Sequence, residues 1–162
     1  MNSTDSDADR LLHGLTIGEP PLRPAGKYRS FSLVGDLMYS SGVVGRRSGE
    51  IIRGPLMGPQ DASRGEDAAV AAVLLILRTA QQELGSLARV VKVVALNGYV
   101  STGASFHAHV LVMDAASACI ATLFPEAPLP ARTTVGVTSL PGAGAVEVSM
   151  ILQIREPERI FQ

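Results

Sequence analysis

The chain has 162 residues, 14 basic against 15 acidic, a formal net charge of −1, and 4% aromatics with no tryptophan. That length suits one domain with a real core of Val, Leu, Ile, Ala and Met, and the balanced charge, without a basic stripe, argues against a nucleic-acid surface. The longest apolar run, 68–77, is too short to span a bilayer, the single Cys119 excludes an intrachain disulfide, and the acidic, polar start is unlike a targeting peptide, so a cytoplasmic protein is expected.

Residues 5–15 read as a short helix, followed by an extended lead-in through Pro20, Pro21, Pro24 and Gly26. Residues 1–26 form this leading part and 27–162 the domain proper. Two strands, 29–34 and 37–41, flank the turn Gly35-Asp36. A glycine-punctuated stretch over 45–58 holds a short edge strand at 50–53. Ser63 and Glu66 match a capping box and predict a helix from there to Leu84, stopped by Gly85. The β-branched run 87–100 is the expected central strand, and 105–123 a second helix ending before Pro125. A final hairpin closes the chain, so two helices are expected to cover one face of a mixed sheet in a two-layer α+β domain.

The final two strands carry the most informative pair. In 132–138, Val135 and Val137 alternate with Arg132, Thr134, Gly136 and Thr138; in 145–154, the apolar series Val146, Val148, Met150, Leu152, Ile154 alternates with Glu147, Ser149 and Gln153. If the two strands pair as a hairpin with matched apolar faces, Arg132 and Glu147 share the opposite face. A guanidinium beside a carboxylate would bind an acid substrate and steer a water, or would form an exposed ion pair, which is common and weak.

Pro130-Ala-Arg-Thr-Thr-Val-Gly-Val137, then Leu140-Pro141, then Val146-Glu-Val148, follow one another in an order that resembles the RidA/YjgF reactive-intermediate deaminase family. Met38-Tyr-Ser-Ser-Gly42 and Tyr28 ahead of it add to the likeness, which runs from Tyr28 to the C-terminus. The resemblance implies a chorismate-mutase-like α+β sandwich, two long helices on one face of a mixed sheet, assembled as a homotrimer with ligand clefts between subunits. It also implies hydrolysis of reactive enamine or imine acids to 2-oxo acids and ammonia, with no metal or other cofactor; that neither nucleic acid nor membrane is expected as a partner follows from the charge and the short apolar run instead. Arg132 would hold the substrate carboxylate in a two-pronged contact and Glu147 would position or activate water. Tyr28, Ser41 and Gly42 would line the cleft, with Asp114 and Thr134 in its wall. Val43, Thr134 and Asp114 depart from the glutamine, cysteine and asparagine that many members carry at or near those positions. The leading segment and the long 45–58 loop look closer to a longer branch of the family.

Other candidates read more plainly. No histidine is positioned by a motif to activate Ser41 as a nucleophile. His107 and His109 are two apart, on different sides of a helix, and a metal site would need further ligands. Cys119 sits among Ala, Ile and Leu as a small core residue, and 142–144 and 54–58 lack the context of a phosphate loop. Two rival functions use the same fold: a non-catalytic trimer that senses a small carboxylic acid, and an endoribonuclease or translation inhibitor, which the neutral charge argues against.

Overall fold

A computed structural model describes residues 6–16, 20–24 and 26–155. Helix α1 (Asp7–Leu15) leads. β1 (Phe31–Val34), β2 (Leu37–Ser40), β3 (Val43–Val44), β4 (Arg46–Arg47) and β5 (Glu50–Ile51) follow. Then come α2 (Ala62–Leu84), β6 (Val90–Ser101), α3 (His109–Leu123), β7 (Ala131–Val137) and β8 (Val146–Ile154). The main sheet runs β1-β2-β8-β6-β7, with β3 also on β8, while β4 and β5 pair separately. All pairs are antiparallel except β6 with β7. The α+β class with a mixed sheet is as expected.

The closing hairpin is not formed. β7 and β8 lie on opposite sides of β6, which pairs with each of them. The physical reason is length: β6, at 12 residues, offers a whole edge to the 9-residue β8, and the chain returns through α3 to lay β7 parallel on the other edge. Opposed residues share a face. Leu96, Arg132 and Met150 therefore face the helices, and Tyr99, Val135 and Glu147 face away.

This overturns the expectation that Arg132 and Glu147 share a face. The β8 valines and Met150 do point into the core, but β7 is reversed relative to the hairpin reading. Its Val135 faces out, 41% exposed, with Thr133 on the same side, and Arg132 and Thr134 are turned towards α3. The outer face carries partly exposed apolar residues, Tyr99 beside Val135 and, further along the sheet, Tyr39.

The expected helix cap also moves. α2 begins at Ala62, with Ser63 inside its first turn, Glu66 just beyond it and no side-chain cap from Asp61. Asp61 instead anchors the approach: its Oδ2 accepts from the Met57 amide at 2.6 Å and its Oδ1 pairs with Arg64 at 2.9 Å. The far end is as read, with Gly85 at φ 82°, where a side chain would be strained. α3 starts at His109 rather than 105, because residues 103–108 form a turn and an extended approach. Along α2, residues 71–77 are buried without interruption, so this helix fills the core rather than lying on it.

α1 is seen over Asp7–Leu15; Asp5, the expected start, lies outside the described residues. Ser6 and Asp9 form a reciprocal capping box. Asp9 is buried and also accepts from Gln81 Nε2 at 2.8 Å, Ser86 Oγ at 2.6 Å and the Leu87 amide at 2.8 Å. Burial works to raise its pKa, but the bonds from Leu87, Ser86, Ser6 and Gln81 prevail and hold it at about 2, below the ordinary 3.8. Asp9→Ala is expected to cost about 2 kcal/mol, since it strands buried donors, and to lower Tm by roughly 4–8 °C in thermal unfolding. Because the folded-state value is depressed, this stabilisation is full above pH 3.8 and fades as pH falls towards about 2. The variant should therefore converge on the parent in acid.

Candidate functional site

The candidate residues fall into two groups on opposite faces of the sheet. The first gathers where the chain leaves β2 and rejoins β8 as β3. Val44 pairs with Glu147, and the Gly45 amide continues the ladder to the Val146 carbonyl at 3.0 Å. A cleft of about 420 Å³ opens there, lined by Tyr28, Ser41, Gly42, Arg46 and Glu147 among others. Gly42 lies against the Glu147 carboxylate so closely that a Cβ there would overlap it. Glycine is what lets the backbone pass the acid.

Ser41 is committed to structure. Its hydroxyl donates to the Arg29 carbonyl at 2.7 Å and its amide to the Ser30 carbonyl at 2.9 Å, which holds the segment behind Tyr28 in place. Tyr28 is half exposed at the cleft. The Glu147 carboxylate makes no hydrogen bond or ion pair with any described residue, and burial pushes its pKa up. A partly desolvated, unpaired carboxylate of this kind accepts a proton more readily than a surface glutamate.

The second group lies under α3. Arg132 donates through Nη1 to Asp114 Oδ1 at 2.8 Å and to Ser117 Oγ at 2.9 Å. Both Nη1 hydrogens are thereby used, while Nε and Nη2 donate to no described residue. That leaves the two-nitrogen edge a carboxylate fits. Thr134, two residues on, shares this face. So the expected set divides: Tyr28, Ser41, Gly42 and Glu147 meet in the cleft, and Arg132, Asp114 and Thr134 lie across the sheet from them.

The sequence model described as Endoribonuclease L-PSP matches residues 19–154. The chain belongs to this L-PSP, or YjgF/RidA, family.

Among the L-PSP chain's relatives is protein TCP17 of Trypanosoma cruzi, 34% identical over 133 residues, 81% of this chain and 83% of that one. The crystal structure of Atu1372 from Agrobacterium tumefaciens, a protein of unknown function, has TM-score 0.80 at 32% identity, covering 92% of this chain and 96% of the other. RidA from Psychrobacter sp. PAMC 21119 has TM-score 0.57 at 23% identity, covering 83% and 94%. The last is a likeness of fold.

Two contributors escaped the sequence reading. Ser117 is one helical turn from Asp114, a spacing that would have flagged it. Arg46 stands two residues beyond Val44, the β3 partner of Glu147, in a stretch read for its glycines and an edge strand at 50–53. The remaining candidates are structural. His107 is exposed, and His109 sits edge-on to Phe106, ring centroids 5.4 Å apart. Among the described residues no group of three or more His, Cys, Asp or Glu could hold a metal. Cys119 packs against the core, its thiol pushed up to about 11 by burial.

Gly42→Ala is expected to displace the Glu147 carboxylate by about 1 Å or more, as van der Waals separation demands, while the fold persists. A crystal structure of the variant with Glu147 unmoved would count against the close approach described here.

Proposed function

We propose that this L-PSP family member hydrolyses reactive 2-imino or enamine acids to 2-oxo acids and ammonia, in clefts completed between copies of the chain arranged as a trimer. One copy contributes Tyr28, Ser41, Gly42 and Glu147; its neighbour contributes Arg132, Asp114 and Thr134. The observation that carries this reading is the division of the set across the sheet: each half holds an unused chemical group, and neither is complete alone. The partial exposure of Tyr39, Tyr99 and Val135 on this outer face supports its packing against another copy.

In the reaction, Arg132 grips the substrate carboxylate with its Nε and Nη2 edge and so orients the imine carbon. Glu147 takes a proton from a water as the water oxygen bonds to that carbon; the C=N electron pair moves to nitrogen, which is protonated. The carbinolamine then loses ammonia as the C=O bond forms. No oxidant or reductant is required, since the imine carbon is already electrophilic. A positioned acid–base group of this kind is worth roughly 10²–10⁴-fold. The ribonuclease activity in the family's name is not carried over, because a net charge of −1 does not suit a polyanion.

Ammonia release from imines generated by an amino-acid oxidase is the direct test. Arg132→Ala is expected to abolish acid binding, and Glu147→Gln to lower turnover by about 10²-fold or more with a smaller effect on binding. In a heterologous ring each cleft draws one half from each of two copies. Co-expressing the two inactive variants at equal levels should therefore restore about a quarter of parental turnover. No restoration would refute the shared cleft. The carboxylate must be ionised to accept a proton, and burial raises its pKa. The acid limb of the rate profile should therefore lie at higher pH than for an ordinary glutamate, and should vanish in Glu147→Gln.

A further inference from the structure

Four described arginines are half-buried: Arg46, Arg78, Arg89 and Arg132. Three have acceptors. Arg78 donates to Gln81 Oε1 at 2.8 Å, Arg89 to the Leu84 and Arg155 carbonyls, and Arg132 to Asp114 and Ser117. Arg46 is the exception. Its Nε, like that of Arg78, is sealed from solvent without an acceptor, but for Arg46 no hydrogen bond or ion pair joins any guanidinium nitrogen to a described residue. Its neighbour Arg47, by contrast, reaches Asp67 at 4.0 Å. A desolvated, unpaired cation costs free energy that a structure retains where an anion arrives from outside.

Arg46 lines the same cleft as Glu147. The two do not neutralise each other, for no ion pair connects them. A guanidinium close enough to compensate Glu147 would also pull its pKa down, whereas burial dominates and pushes it up. The exposed Arg23 lines the cleft as well, so these three groups leave it with two positive charges against one negative.

We infer that Arg46 is a specificity-determining residue, and that the cleft takes an acid bearing a second anionic group, a 2-imino dicarboxylic acid whose distal carboxylate it holds. This rests on the reading above, in which a neighbour's Arg132 takes the carboxylate beside the reacting carbon. With that group already held, an aliphatic monoacid leaves Arg46 uncompensated, and a diacid brings a counter-charge to the part of it that lines the cleft. A cleft of about 420 Å³ accommodates such a ligand within the ordinary range of small-molecule pockets.

Calorimetry on the full-length protein with 2-oxoglutarate and with 2-oxobutyrate tests the inference, alongside turnover of the imines made from glutamate and from 2-aminobutyrate. The parent is expected to bind the diacid at least about tenfold more tightly, the worth of one charge-assisted contact. Arg46→Gln should reduce the diacid-to-monoacid affinity ratio by about the same factor, and Arg46→Lys should recover part of it. Equal parental affinity for the two acids, failure to bind either, or an equal loss of both in Arg46→Gln would overturn the inference. The two readings fail separately. Diacid binding that depends on Arg46 without any imine turnover sinks the hydrolase and leaves this assignment standing. Efficient turnover of monoacid imines with no diacid preference sinks this assignment and leaves the hydrolase.

Discussion

The insertion of β6 between β7 and β8 governs everything the site is able to do. Because opposed residues in a sheet share a face, the pairing of Leu96 with Arg132 and of Tyr99 with Glu147 assigns the guanidinium and the carboxylate to opposite sides. No rotamer change carries a side chain through a sheet. A chemistry that needs both groups on one substrate must therefore draw them from two chains, which is the basis of the proposed shared cleft.

Each half of the set is prepared locally for its task. At Gly42 the absence of a side chain lets the backbone pass beside Glu147, and the Ser41 hydroxyl fixes the segment next to Tyr28. Across the sheet, Asp114 and Ser117 hold one nitrogen of Arg132 and leave its outer edge unused. Asp114 also brings negative charge close to that cation, which weakens its pull on an acid compared with a neutral amide at the same point. A second cation, Arg46, offsets this from the other half of the set.

Much of this was legible in the sequence, for identifiable reasons. The period-two alternation of Val146 to Ile154 reports burial on one face, a local property, and it held residue by residue. Gly85 marked the end of α2 because a left-handed residue there favours glycine. Tyr28, Ser41, Gly42 and Glu147 do meet. What failed was non-local. Alternation says which residues share a face within a strand, but not which strands are neighbours, so the hairpin was drawn where a crossover through α3 occurs. Its valines also misled: on β7 the polar side faces the helices, because Arg132 finds its partners on α3. The capping motif at Ser63 lost to Asp61, whose carboxylate ties down both the Met57 amide and Arg64. Arg46 went unnoticed because its significance lies in acceptors it lacks, which only a folded chain reveals.

The clasp around Asp9 has a bearing on where this protein can be cut. The family match begins at residue 19, yet one carboxylate upstream of it ties the first helix to the long helix through Gln81 and to the doorstep of β6 through Ser86 and Leu87. Trimming to the matched region would uncap that doorstep and empty the seat of the fully buried Leu12. The shared domain and the unit that folds well are thus not the same stretch of polypeptide.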